Sequence, residues 1–276
     1  MWINPIGGLG DTLMISGVLK QVVEKDPTRR FNLVERTKYR PLLEGHPAIV
    51  HIGYPRLGAE FISTNYWAHK DFQVPGKRAY QILARIFGLK PPVEERLYIP
   101  WELQDDPVIM GLIPWKQRNV LISQSSDSPR KQMGVEKWES LVEMLHRDKI
   151  EVVQAGKMKD RYVRGAFSLL GLTTPRHLIS MVRHFDAIVT ADNFIMHSAH
   201  LCGVPAVVLW GPTDHRVYGY AGQIHLQAKT ECEYPGGCLG PRNGNLYPTD
   251  CPRGSERCMN TLKLDAVYSA VKSLLK

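Results

Sequence analysis

Apolar positions recur along this chain in two alternating rhythms. The second half is the more regular. "NVLISQ", "EVVQAG", "AIVTAD" and "AVVLWG" are apolar at consecutive positions and read as strands. Between them, Trp138, Leu141, Val142 and Leu145 fall at i, i+3, i+4 and i+7, and Leu178, Met181, Val182 and Phe185 repeat that helical spacing. Residues 194–202 suit a short helix, and Val267, Ala270, Val271 and Leu274 a closing one. Strands apolar on both faces, alternating with amphipathic helices, imply a parallel sheet covered on both sides. The first half alternates too, with interruptions. "WINPIG", "FNLVE", "IVHIGY", "EFISTN" and "RLYIP" read as strands, and residues 11–25, 38–45 and 77–88 as helices. Residues 101–118 carry two prolines and no clear period, and read as a linker. The expected architecture is therefore α/β, with two α/β domains at 1–114 and 115–276 and a cleft between them, a favoured place for small-molecule sites. No internal repeat or low-complexity tract interrupts this pattern.

Composition narrows the partners. The chain has 276 residues, 43% of them hydrophobic, and a net charge of +8. That charge favours phosphates, nucleotides, nucleic acid or an anionic membrane surface, and the excess lies mostly in the second half. No basic segment followed by a long apolar run opens the sequence, and no apolar run approaches ~18 residues. A cytoplasmic protein is expected, whose cysteines serve as thiols or metal ligands in preference to disulfides.

Three stretches could carry chemistry. "PIGGLGD" (5–11) joins the first strand to the first helix, where glycines such as Gly10 let a ligand approach the backbone and free amides favour an anion. Asp11 there reads either as a helix-capping carboxylate or as a general base for a hydroxyl. "SQSSDSPRKQMGVEKW" (123–138) opens a helix with Ser, Arg and Lys, a cradle for phosphate in which Lys131 adds a point charge, or a solvated capped loop. In "TADNFIMHSAHLCGVPAVVLWGPTD" (190–214), Asp192 ends a strand and the next helix starts near Asn193 and Phe194. His197 lies within that helix, where packing competes with a role at the site. No Asp-x-Asp pair occurs, which argues for a site where amides and Lys/Arg, not a divalent metal, carry phosphate charge. Cys232, Cys238, Cys251 and Cys258 crowd a Gly- and Pro-rich loop. They could hold structural zinc or iron tetrahedrally, stay reduced or pair as disulfides; no CxxC spacing decides. Cys202 reads as a core residue.

Together these motifs resemble the lipopolysaccharide heptosyltransferase-type glycosyltransferases, family 9. "GGLGDTLM" is similar to their N-terminal Gly-Asp hallmark. "KQMGVEKW" is similar to K-x-W-P-x-E-x-W, with Met133 and Gly134 in place of Trp and Pro. "DNFIMHSAHLCGVPAVVLWGPTD" is similar to D-[ST]-G-x-x-H followed by G-x-P and G-P-T-D, with Phe194 where the family has Gly. The resemblance implies a GT-B fold, with the acceptor on the N-terminal domain and a nucleotide sugar, typically ADP-heptose, on the C-terminal one. It implies Asp11 as catalytic base. It implies Lys131 on the donor phosphates, Asp192 on the sugar hydroxyls, and Asn193, Phe194 and His197 around the pyrophosphate. Gly156, with Asp160 nearby, would sit by the nucleotide base, and Gly10 counts with the donor site. Some relatives hold iron with four cysteines. An inverting, metal-independent transfer to a cell-envelope glycan or protein acceptor is expected, with peripheral contact at the inner membrane and no nucleic-acid partner. Alternatives are a GT-B transferase for another nucleotide sugar, and a non-catalytic, metal-stapled binding protein.

Overall fold

The computed structural model describes residues 1–74, 76–124, 126–229, 238–239, 251 and 257–276. The chain forms two compact units. The first is Met1–Glu102 together with Arg216–Tyr218; the second is Leu103–His215 with Gly219–Lys276. The division thus falls at residues 102–103, near the start of the stretch read as a linker.

In the first unit, β1 (Trp2–Ile3), β2 (Phe31–Val34), β3 (Ile49–Gly53) and β4 (Phe61–Ile62) make a parallel sheet of order β3-β2-β1-β4. Helix α1 (Leu9–Lys25) follows β1 and buries Leu13, Ile15, Val18 and Leu19 completely. Helix α2 (Ala79–Ile86) packs on it. Two expectations fail here. Residues 38–45 give only a 3₁₀ turn at Arg40–Leu42, because Pro41 supplies no amide and Gly45 turns the chain at φ +80°. "RLYIP" forms no strand. That segment crosses α1 instead: Tyr80 Oη donates to Arg96 O at 2.6 Å, and Gln21 Nε2 to Glu94 O at 2.8 Å. The crossing requires Gly17, since a Cβ there would lie 2.0 Å from Arg96 O.

The second unit opens with helix α3 (Pro107–Leu112) inside the expected linker, where Asp106 caps the amides of Val108 and Ile109 and Pro107 stands in the first turn. Strands β5 (Asn119–Ser123), β6 (Glu151–Gln154), β7 (Phe167–Ser168), β8 (Ala187–Ala191), β9 (Ala206–Trp210) and β10 (Ile224–Gln227) form a parallel sheet of order β10-β9-β8-β5-β6-β7. Every residue of β5, β6, β8 and β9 is buried, as in a sheet covered on both faces, with polar residues such as Glu151 and Gln154 at strand ends. The cover comes from α4 (Val135–Arg147), α5 (Pro175–Val182), α6 (Phe194–Cys202) and α9 (Leu264–Leu274); the short α7 (His215–Tyr218) carries residues 216–218 of the first unit, and the short α8 (Arg257–Asn260) precedes α9. Trp138, Leu141, Val142 and Leu145 of α4 meet Val267 and Val271 of α9 in the core. Met133, standing where the family pattern has Trp, is buried in the same core. Strands β7 and β10 were not expected from the sequence: β7 is two residues long, and β10 is only half-buried, so neither leaves a strong pattern.

This winding has a consequence. Chain direction across the second sheet reverses between β5 and β8, and across the first between β1 and β4. Crossovers leave those adjacent strand ends on opposite faces, opening a crevice at their carboxyl ends where doubly wound sheets bind ligands. Among the described residues no helix is long and apolar enough to cross a membrane.

Gly17→Ala is expected to destabilise the chain by ~1–3 kcal/mol through overpacking against Arg96 O. Thermal unfolding measures this, and an unchanged midpoint would contradict the close approach.

Candidate active site

Each crevice carries a carboxylate held by partners from neighbouring strand ends. In the second unit Asp192 follows β8 and is 7% exposed. Lys131, in the 3₁₀ turn Pro129–Lys131 after β5, donates from Nζ to Asp192 Oδ2 at 2.7 Å. Thr213, after β9, donates from Oγ1 to the same oxygen at 2.8 Å. Burial by itself would push the Asp192 carboxyl up. The Lys131 ammonium and the Thr213 hydroxyl overcome it and hold the group below the usual carboxylate range. A buried, ionised carboxylate is therefore fixed at the switch point.

Asn193 caps α6 beside it. Its Oδ1 accepts from Ile195 N at 2.8 Å and from Thr190 Oγ1 at 2.8 Å, and its Nδ2 donates to Ser123 Oγ at 3.1 Å. The side chain thus ties the end of β8 to the end of β5. Phe194, the first residue of α6, is half-buried. His197 is 7% exposed, its Nδ1 lies 2.7 Å from Tyr220 Oη, and burial pulls its pKa down to about 4. His197 is thus a neutral, packed ring next to Asp192. His200 stacks on Tyr220 with centroids 3.9 Å apart. Gly156 follows β6 in a turn closed by Asp160, whose Oδ2 accepts from Lys157 N at 2.6 Å. A Cβ at Gly156 would lie 2.5 Å from that oxygen. Lys157 Nζ in turn meets Asp127 Oδ1, in the loop after β5, at 2.6 Å.

Asp11 and Gly10 belong to the first unit. Gly10 is buried in the first turn of α1. Asp11 Oδ2 accepts from Gly8 N at 2.7 Å, which is the capping role. Its Oδ1 accepts from Tyr66 Oη at 2.8 Å. Tyr66 follows β4, is 2% exposed, and packs against Trp67 and Phe72. The backbone before α1 turns at Gly7, φ +109°, where a Cβ would strike the Asp11 carboxylate at 2.4 Å. Capping does not displace the base reading; it orients the carboxylate.

Lys131, Asp192 and His197 are thus brought together, with Asn193 at the same helix start and Thr213 as a partner that sequence reasoning passed over. Tyr66 was missed as well. Neither has a signal of its own, although Thr213 lies within the quoted "GPTD".

The cysteines divide. Cys232 lies outside the described residues. Cys238 Sγ accepts from Arg130 Nη1 at 3.1 Å. Cys258 lies near Gly211, where a Cβ would meet its Sγ at 3.1 Å. No disulfide joins Cys202, Cys238, Cys251 and Cys258 to one another. Among the described residues no three His, Cys, Asp or Glu side chains are grouped to hold a metal ion. Of the options the sequence left open for these thiols, a metal centre is thus not assembled by the described members Cys238, Cys251 and Cys258.

The family model described as glycosyltransferase family 9 (heptosyltransferase) matches residues 46–232. The chain belongs to this family. It is a glycosyltransferase. Solved structures agree on the fold. A glycosyltransferase family 9 protein from Veillonella parvula DSM 2008 is 14% identical, with a TM-score of 0.73 over 99% of this chain and 96% of that one. TibC, a bacterial iron-containing dodecameric glycosyltransferase from enterotoxigenic E. coli H10407, is 15% identical, with a TM-score of 0.75 over 99% of this chain and 77% of that one. The E. coli ADP-heptose lps heptosyltransferase II is 13% identical, with a TM-score of 0.63 over 99% and 98%. The family 9 fold class is GT-B, and the two doubly wound units are its Rossmann-like halves. No curated protein matches the glycosyltransferase by sequence.

The buried histidines set a pH window. His197 in the second unit and His46 in the first both have pKa values pulled from 6.5 to about 4, chiefly by burial. His46 Nδ1 also accepts from Ala48 N at 3.0 Å, which favours the neutral ring. The unfolded chain takes up these protons below pH ~6.5 and the folded chain only near 4, so stability is full above the first value and falls as pH drops toward the second. The loss is on the order of 3 kcal/mol per histidine at the acid end. Denaturant titrations at stepped pH, with ring-proton NMR, are expected to show this fall and to find both rings neutral at pH 5.5.

Proposed function

We propose that this glycosyltransferase moves a heptose from ADP-heptose to a hydroxyl of a cell-envelope glycan or protein acceptor, with inversion and without a catalytic metal. The observation that carries the reading is the Lys131–Asp192 pair beside the start of α6, at the switch point of the second sheet. The N-terminal unit takes the acceptor and the C-terminal unit the donor. Asp11 accepts the proton of the acceptor hydroxyl. The oxygen attacks the anomeric carbon on the face opposite the diphosphate, and the bond from that carbon to the diphosphate oxygen breaks as the new one forms. Lys131 and the amides at the start of α6 meet the negative charge that gathers on the leaving ADP. Asp192 accepts from sugar hydroxyls and orients the ring. Gly156 and Asp160 lie toward the base.

Three things support this choice of donor and mechanism. Lys131 supplies a cation without a second carboxylate of the Asp-x-Asp kind. TibC has been solved in complex with ADP-D-beta-D-heptose, and another neighbour, E. coli WaaC, with ADP-2-deoxy-2-fluoro heptose. The Asp11 carboxylate is oriented by Gly8 and Tyr66 before any substrate arrives.

Asp11→Ala is expected to lower turnover by at least ~10²-fold, the usual contribution of a general base. Near-normal turnover would remove Asp11 from that role. In calorimetry against ADP, UDP, GDP and ADP-heptose, the wild type is expected to select the adenine compounds. Asp192→Ala should keep ADP binding and lose the affinity added by the heptose. Tight UDP or GDP binding would keep the fold and change the donor.

A further inference from the structure

We infer that Thr213 is a positioning residue that aims Asp192 at the donor sugar, an inference that rests on the donor reading above. The Asp192 carboxylate is held asymmetrically. Lys131 Nζ and Thr213 Oγ1 both donate to Oδ2, and among the described residues Oδ1 takes no hydrogen bond. A carboxylate oxygen has room for two donors. The geometry therefore saturates one oxygen from the protein and presents the other to a hydroxyl.

The two donors differ in what else they must do. Lys131 is the cation assigned to the diphosphate. Its ammonium has three protons, and its stem is flexible. When the donor binds, its charge is divided between Asp192 and the phosphates, and its grip on Oδ2 loosens. Thr213 has no such second task. It is 3% exposed, and its hydroxyl carries a single proton, directed at Asp192. Its backbone is fixed from behind. Gln227 Nε2, at the end of β10, donates to Thr213 O at 3.2 Å and to Gly211 O at 3.0 Å, clamping the loop after β9. Gln227 Oε1 is itself within 3.2 Å of His215 Nδ1. Thr213 thus holds the carboxylate's orientation through the step in which Lys131 is shared.

Isosteric variants test this. Thr213→Val removes the hydroxyl and keeps the shape, and Thr213→Ser keeps the hydroxyl. Calorimetry with ADP and with ADP-heptose separates phosphate binding from sugar binding. Thr213→Val is expected to bind ADP as the wild type does and to lose about tenfold in ADP-heptose affinity, as expected for a lost hydrogen bond to a charged group. Thr213→Ser is expected to stay within about threefold of wild type for both ligands. Thermal midpoint and ADP affinity serve as fold controls, and Thr213→Ala replaces the valine variant if that one fails to fold. If Thr213→Val retains the wild-type ratio of the two affinities, or Thr213→Ser loses as much as Thr213→Val, the positioning role is overturned. If ADP-heptose gains nothing over ADP in the wild type, or its gain survives in Asp192→Ala, the donor reading itself falls. A gain lost in Asp192→Ala but kept in Thr213→Val overturns the Thr213 role alone.

Discussion

The buried carboxylate of Asp192 and the ammonium of Lys131 constrain much of the C-terminal unit. A carboxylate removed from water keeps its charge only when a cation and hydrogen-bond donors replace the lost solvation. Here the replacements come from three different strand ends: Lys131 after β5, Asp192 itself after β8, and Thr213 after β9. These strands are neighbours in the sheet though far apart in sequence. The pair can form only if the sheet is wound in this order, so the electrostatics of the site and the topology of the fold require one another. Breaking such a pair by removing one member leaves a buried, uncompensated charge.

The first unit repeats the same plan in a smaller sheet. Its order β3-β2-β1-β4 matches the corresponding part of the larger sheet, and its carboxylate again sits where the winding reverses. Asp11 accepts from the Gly8 amide and from the Tyr66 phenol. Asp192 has an ammonium. A buried carboxylate beside an ammonium stays ionised.

Much of the second unit was readable in the sequence, because strands buried on both faces carry long apolar runs, as the centres of β5 and β8 and all of β9 do. The first unit was less so. Its four strands all lie in segments read as strands, but 38–45 forms no α-helix and "RLYIP" forms no strand, since Gly17 lets that backbone cross α1. Asp11 stood out in a glycine-rich turn, Lys131 in a polar loop opening a helix, and Asp192 at the end of an apolar run. Tyr66 and Thr213 did not. Their hydrogen bonds span 55 and 21 positions, and neither residue type is unusual where it stands. Hydrogen bonds across adjacent strand ends leave no periodic trace, so only the folded chain reveals them. For the cysteines, clustering along the sequence did not translate into a metal-holding group among the described residues, because density along a loop does not fix distances in space.

Asn193 gives the donor crevice a further property. Its amide spans from Thr190 to Ser123, so the ends of β8 and β5 are laced together with no ligand present. These bonds brace the crevice floor. A ligand that fits it loses little freedom of the protein on entering, and the affinity it gains is not diluted by ordering a loop. Under the proposed donor reading, this lacing favours a molecule that fits a floor already braced.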